Sequence, residues 1–192
     1  MKLVFATNNM HKLQEVQRLL PPEIELLTLK EIGCFEEIEE TAATLEGNAQ
    51  IKTDHVKQKY GYDCFADDTG LEVEALNGEP GVYSARYAGE EATFQDNVDK
   101  LLLELQDKDQ REARFRTVVS LYLKGQQYFF EGICEGRIEE QMSGDQGFGY
   151  DPVFTPKGFD QTFAEMDMSS KGKISHRGLA IKKLVDFFKD LD

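Results

Sequence analysis

Residues 65–76, FADDTGLEVEAL, put two adjacent carboxylates, Asp67 and Asp68, between an apolar run and a glycine, where the chain should be entering its core. Like charges this close disfavour joint ionisation, and burial raises that cost. A bound cation would remove both objections, and so would a solvated turn. With Cys64 in front, the stretch reads as strand, turn, strand, followed by the turn signal NGEPG at 77–81.

Upstream, KLVFA (2–6) is a short apolar run that predicts a buried first strand. The polar TNNMHK (7–12) follows, and Leu13, Val16 and Leu20 then recur at helical spacing up to Pro21-Pro22. A strand, a polar turn and a helix start present backbone N–H groups to an anion. A second strand is expected at 24–29, and the acidic segment 30–43, with EEIEET at 36–41, reads as irregular. From 44 to 60 the pattern is helical again, with Leu45, Ala49 and Val56 on one face. Lys52 shares that face, where a cation either snorkels from the edge of the stripe or is costly unless its charge has a partner.

Downstream, Phe94, Val98, Leu101, Leu102 and Leu105 mark a third helix. ARFRTVVSLYLKGQQYFFEGICEG (113–136) is two alternating β runs joined at Lys124-Gly125-Gln126-Gln127, an antiparallel hairpin. Loop signals fill 143–149, and a last helix is expected over 178–190 with Ala180, Leu184, Phe187 and Leu191 inward. Helices interleaved with strands, plus one hairpin, predict an α/β fold with a mixed sheet, organised as a single domain over 1–192.

Bulk properties narrow the partners. A net charge of −14 argues against nucleic acid, whose partners usually carry a basic footprint. No apolar run approaches the roughly 18 residues that span a bilayer, and MKLVFATNNMHK lacks the features of a signal peptide. The three cysteines, Cys34, Cys64 and Cys134, are isolated and odd in number, which argues against a disulfide framework and points to the cytoplasm. SSKGKISHR (169–177) gathers Lys171, Lys173, His176 and Arg177 into a local cationic patch on this acidic chain.

The candidate chemistry follows from residue types. Without a Cys-x-x-Cys pair or His-rich spacing, a structural zinc site is not expected. Clustered carboxylates suit a hard cation instead, and Mg²⁺ takes one or two of them, filling its shell with water and phosphate oxygens. Asp67, Asp68 and the glutamates near Thr41 are candidates, although EEIEE taken alone reads as a solvated loop. TNNMHK lacks the Walker A glycine spacing. Thr7, Asn8, Asn9 and Lys12 still offer donors and charge for phosphate, while an asparagine there also reads as a plain helix cap. In FGYDP (148–152) the aromatics either stack a base or anchor the core.

Taken together, FATNNMHKLQEV, EETAATLEGNAQIK, FADDTGLEVEALNGEPGVYSARYAG, FGYDPVF and SHRGLA resemble the HAM1 family of non-standard purine nucleoside triphosphate pyrophosphatases, in order and across residues 2–181. The resemblance implies an elongated mixed sheet flanked by helices, with two lobes around a central cleft. It also implies Mg²⁺-dependent hydrolysis of inosine, deoxyinosine and xanthosine triphosphates to monophosphate and pyrophosphate by a homodimer. Asp68 then matches the proton acceptor and a metal ligand, with Asp67 assisting, and Glu40 the second metal carboxylate. Thr7, Asn8, Asn9, Met10, His11 and Lys12 match the triphosphate loop, Lys52 a phosphate-binding lysine and Thr69 a substrate contact usually filled by Ser. Phe148, Gly149, Tyr150, Asp151, Lys171, His176 and Arg177 match nucleotide and base positions, with Arg177 or His176 donating to the purine 6-carbonyl. Asn8 and Ala42 stand where the family often has Gly. Two alternatives remain open: a pyrophosphatase for other modified nucleotides, or a nucleotide-binding protein without turnover.

Overall fold

The computed structural model describes residues 1–191. KLVF forms β1 (Lys2–Phe5), and the polar turn leads into α1 (Met10–Leu19), which ends ahead of the two prolines. β2 (Glu25–Thr28) runs parallel to β1, and residues 30–43 contain neither helix nor strand. α2 (Leu45–Tyr60) starts at an N-cap, Thr44, whose hydroxyl accepts from the Gly47 N–H at 3.1 Å. Gly47 is required by the preceding loop, because a Cβ there would lie 2.5 Å from the Ala42 Cβ.

The opening stretch is not strand, turn, strand. Cys64–Val73 is one strand of ten residues, β3, and both aspartates lie inside it. Successive side chains of a strand leave on opposite faces, so Asp67 goes with Phe65 and Asp68 with Ala66. The side-by-side repulsion that suggested a turn is therefore relieved by the pleat. Reversal comes later, at NGEPG, where β4 (Pro80–Gly81) returns antiparallel with Gly81 opposite Leu71. Gly70 permits that pairing, since a Cβ on it would meet the Gly81 carbonyl oxygen at 2.6 Å.

α3 (Phe94–Glu104) carries a Thr93–Asp96 capping box. β5 (Glu112–Leu123) and β6 (Gln126–Ile138) are neighbours joined by Lys124 and Gly125 alone. Both turn residues have positive φ, 47° and 87°, the conformation a two-residue hairpin needs. β7 (Phe154–Pro156) pairs antiparallel with β6. α4 (Met168–Ile174), which the pattern did not announce, precedes α5 (His176–Lys189). The sheet order is β2-β1-β3-β5-β6-β7, with β4 on β3. This is the expected α/β fold: parallel pairs around β1, antiparallel pairs at β3–β4 and β6–β7.

The chain separates into two compact units. The first comprises residues 1–68, 117–132 and 177 onward. Its sheet is covered on both faces. Leu3, Phe5 and Phe65 pack with Val16 of α1 and Ala180, Ile181 and Leu184 of α5, with the Phe5 and Phe65 rings stacked 4.6 Å apart. Val4, Ala6, Cys64 and Ala66 point the other way, onto Val56 of α2. The second unit comprises 69–116 and 133–176, and its core gathers Leu71, Val73, Leu101, Phe115, Phe154 and Phe163. Leu191 is not inward as expected: it lies beyond the end of α5 and is exposed.

Candidate active site

In the first unit, β3 delivers one carboxylate to each face of the sheet. On the α1 and α5 face, Asp67 accepts from Lys12 Nζ at 3.1 Å and from Arg177 Nε at 3.0 Å. Arg177 Nη1 also donates to Glu15 at 2.6 Å, so one guanidinium joins α5, β3 and α1. Burial alone would raise the pKa of Asp67, but Lys12, Arg177 and Lys52 outweigh it and hold the carboxyl well below the usual range. Burial opposes the Arg177 charge in the same way, and Asp67 and Glu15 overcome it, raising its pKa. For Lys12 burial wins, and its pKa is lowered despite Asp67.

The opposite face belongs to α2. Asn48, completely buried, donates to Asp68 Oδ2 at 3.1 Å and accepts from the Ala42 N–H at 2.9 Å. One helical turn on, Lys52 donates to the Asp67 carbonyl oxygen at 2.6 Å and forms a close ion pair with Glu40. That partner is what the buried lysine on the apolar stripe required. Burial opposes the Lys52 charge, yet Glu40, Asp68 and Asp67 raise its pKa. Asp68 differs from its neighbour. Burial pushes its pKa up, Glu40 adds to that, and Lys52, Lys12 and the Asn48 bond only partly offset them.

Two adjacent aspartates are thus in opposite electrostatic states. Lys12 and Arg177 hold the Asp67 carboxyl well below the usual carboxylate range, whereas burial and Glu40 raise that of Asp68. The expectation of one cation shared by both aspartates is therefore narrowed to Asp68 and Glu40, since Asp67 already has Lys12 and Arg177. Glu40 and Asp68 offer hard oxygen donors where added positive charge would relieve a buried carboxyl, which is the donor set of a hard divalent cation.

The turn between β1 and α1 is committed partly to the fold. Asn9 is the N-cap of α1: its Oδ1 accepts from the N–H groups of His11 and Lys12, and its own N–H donates to Thr7 Oγ1. Asn8, Met10 and His11 are exposed, and Lys12 is the side chain of this group directed at Asp67.

In the second unit, FGYDP organises itself. Asp151 accepts from the Phe148 N–H at 2.9 Å and from Lys171 Nζ at 2.7 Å, and the Lys171 ammonium lies over the Phe148 ring, 5.2 Å from its centroid. Gly147, with φ of 73°, leaves room for that carboxylate, since a Cβ there would meet Asp151 Oδ2 at 2.0 Å. Of the two aromatics, Tyr150 is a core anchor whose hydroxyl donates to the Ser84 carbonyl, and Phe148 is half-buried. The His176 imidazole stacks on Phe115 with centroids 4.4 Å apart. Gly149 and Thr69 are also only partly buried.

SSKGKISHR is not a surface patch. Lys171, His176 and Arg177 are all buried, and of its four basic residues Lys173 alone is exposed. α4 and α5 turn the other three inward, Lys171 and His176 within the second unit and Arg177 within the first. Two residues went unnoticed in the pattern, Glu15 and Asn48. Each lies one helical turn from a residue that was singled out, Glu15 from Lys12 and Asn48 from Lys52, so i, i+3 and i, i+4 neighbours were the available signal.

Asp67 and Asp68 on β3, Lys12 on α1, Lys52 on α2 and Arg177 on α5, with Glu40 from the irregular segment before α2, form a cluster of paired acids and cations on an α/β frame. The chain matches the model of the Ham1 family over residues 3–187. It is 58% identical over 186 residues to a protein of Flavobacterium johnsoniae named dITP/XTP pyrophosphatase, with 97% of each chain covered. A protein of Flavobacterium psychrophilum with the same name is 57% identical over 190 residues, covering 99% of this chain and 100% of the other. The solved structure of the Staphylococcus aureus Ham1 protein superposes with a TM-score of 0.91 at 37% identity, covering 100% of both chains. The chain belongs to the Ham1 family.

Proposed function

We propose that this protein is a nucleoside-triphosphate pyrophosphohydrolase that converts the triphosphates of inosine, deoxyinosine and xanthosine to the monophosphate and pyrophosphate. The observation that carries the reading is Asp68, a buried carboxyl with a raised pKa beside Glu40 and Lys52. The names of the relatives, dITP/XTP pyrophosphatase, supply the substrate class.

Asp68 takes the proton of the attacking water, and its raised pKa makes it the stronger base of the pair. Asp67 does not compete for that proton, because Lys12 and Arg177 already satisfy its charge. Glu40 and Asp68 would hold Mg²⁺, which when bound supplies positive charge to the polyphosphate. Lys12 and Lys52 exchange carboxylate partners for phosphate oxygens, and with the N–H groups of the β1–α1 turn they stabilise pyrophosphate as it leaves. Thr69, Phe148, Lys171 and His176 are assigned to the nucleoside, with a donor to the 6-carbonyl. An adenine amine would leave such a donor unpaired, at a cost of roughly 1–3 kcal/mol. The protein acts as a homodimer in the cytoplasm.

A panel of nucleoside triphosphates with and without Mg²⁺ tests the reading. Pyrophosphate release is expected from ITP, dITP and XTP, strongly reduced with ATP and absent without metal. Turnover confined to modified pyrimidine or methylated nucleotides, or nucleotide-dependent thermal stabilisation with no turnover, would replace it with one of the two alternatives.

A further inference from the structure

The loop before α2 and the last turns of that helix bring together a second set of ligand-bearing side chains, none of them used above. Cys34, Glu36 and His55 each offer one ligand atom, and the thiol sulfur, a carboxylate oxygen and an imidazole nitrogen all lie within 4.8 Å of one another. No other three His, Cys, Asp or Glu residues among the described residues meet that condition. The Cys34 thiol forms a closed floor, at 3% exposure, whereas the His55 and Glu36 side chains are 26% and 34% exposed and leave a mouth open to water.

The mouth is polar, while Cys34 below it packs with Leu29 and Val56. Glu36 Oε1 meets His55 Nε2 at 2.9 Å and accepts from Lys59 Nζ at 2.5 Å, and the Tyr60 hydroxyl reaches both carboxylate oxygens at 2.8 and 3.0 Å. Burial first, and then the bonds to Glu36 and Cys34, push the Tyr60 phenol up, so its oxygen borders the thiol as well. A hydrogen-bond hub around Glu36 accounts for His55, Lys59 and Tyr60, and the Cys34 sulfur lies beneath it at the edge of the apolar cluster of Val4, Leu29 and Val56. Thiolate, imidazole and carboxylate together are the ligand types of a zinc-class ion. With Zn–S of about 2.3 Å and Zn–N and Zn–O of about 2.0–2.2 Å, tetrahedral ligand atoms stand roughly 3.3–3.7 Å apart. The Glu36–His55 contact of 2.9 Å would lengthen slightly, and the other separations, all within 4.8 Å, would close toward that range.

We propose that Cys34, Glu36 and His55 form a binding site for a divalent transition metal of the zinc class, distinct from the Glu40–Asp68 pair. The thiol gives its proton to solvent as the metal binds, and the fourth position, on the open side, is left to water. Lys59, more than half exposed on a flexible stem, swings into solvent as the metal takes over its role as counter-charge to Glu36. Occupancy also ties the loop to α2. Glu36 and Glu40 lie on one irregular segment, and their partners His55 and Lys52 lie one turn apart on one helix. A metal at the first position therefore restricts the carboxylate at the second.

Cobalt(II) titration of the full-length, chelator-treated protein reads this directly. The expected result is a thiolate-to-cobalt charge-transfer band with tetrahedral visible bands, saturating at one ion per chain, displaced by Zn²⁺ and not by excess Mg²⁺. Cys34→Ser should abolish the charge-transfer band. His55→Gln and Glu36→Gln should each weaken binding by at least about tenfold, comparable with what lost metal-site partners cost elsewhere. Asp68→Asn should leave the titration unchanged. If circular dichroism shows that Cys34→Ser fails to fold, His55→Gln, on a partly exposed part of α2, carries the same test. No charge-transfer band, a band that survives Cys34→Ser, unweakened binding in His55→Gln, or a titration lost in Asp68→Asn would each overturn the site.

Discussion

Asp67 and Asp68 are separated by one peptide bond and by opposite environments, and each environment has a measurable consequence. Removing the charge of Asp68 removes a buried carboxylate that its surroundings disfavour, so Asp68→Asn should melt no lower than the parent while kcat for pyrophosphate release falls by at least about 10²-fold. Thermal melts and initial rates on the same preparation check both halves. Arg177 is the converse case. Its Nε and Nη1 serve Asp67 and Glu15 separately, so Arg177→Met strands buried carboxylates, and urea unfolding should show a loss of about 3–5 kcal/mol. Arg177→Lys should recover little of that, because a single ammonium cannot reproduce the two-pronged geometry.

Among the elements, the helix starts carry a pH signature. The Asp96 carboxylate accepts from the Thr93 N–H and hydroxyl at the head of α3, and those bonds lower its pKa. A carboxyl with a depressed folded-state pKa contributes stability above its unfolded value, and that contribution is lost as pH falls through the folded value. Asp96→Asn should therefore melt below the parent at neutral pH, with the difference closing as the pH drops through the carboxylate range. A difference that stays constant with pH would mean that the Asp96 charge contributes nothing to the cap. Element boundaries were legible where side chains speak locally. Two prolines end α1, and the hairpin connection falls within the expected Lys124–Gln127, although Gln126 and Gln127 already belong to β6. β3 was misread because DDTG carries turn composition, while burial against α1, α2 and α5 overrides it. α4 went unseen because seven residues containing a glycine give too little periodicity to register.

For the molecule as a whole, the position of bond cleavage is the decisive observable. Under the proposed roles, with Lys12 and Lys52 on the outer phosphates and Asp68 as base, pyrophosphate is the stabilised leaving group, so attack should fall on the α-phosphorus. Hydrolysis of ITP in ¹⁸O-labelled water should place the label in inosine monophosphate, read by mass spectrometry. Orthophosphate with inosine diphosphate as the first product would mean attack at the γ-phosphorus and would remove the assigned roles of Lys12, Lys52 and Asp68. The global charge of −14 repels such a substrate, which puts weight on the few cations held near Asp67 and Glu40.

From the sequence alone came the alternation of helices and strands, the family resemblance, and the residue types able to handle phosphate and a hard cation. Those are local properties, written in periodicity and in short contiguous motifs. Three things were decided only in three dimensions. The pleat sent Asp67 and Asp68 to opposite faces, one beside Lys12 and Arg177 and the other beside Asn48 of α2. The α4–α5 junction turned an apparent basic surface patch into buried ion pairs and ring contacts, placing Arg177 beside Asp67, 110 residues away in the chain. The loop before α2 folded Cys34 and Glu36 against His55, a grouping without any sequence spacing to betray it. Spacing along a chain reports only what one helix or strand brings together, whereas charge balance and metal geometry depend on atoms that meet through tertiary packing.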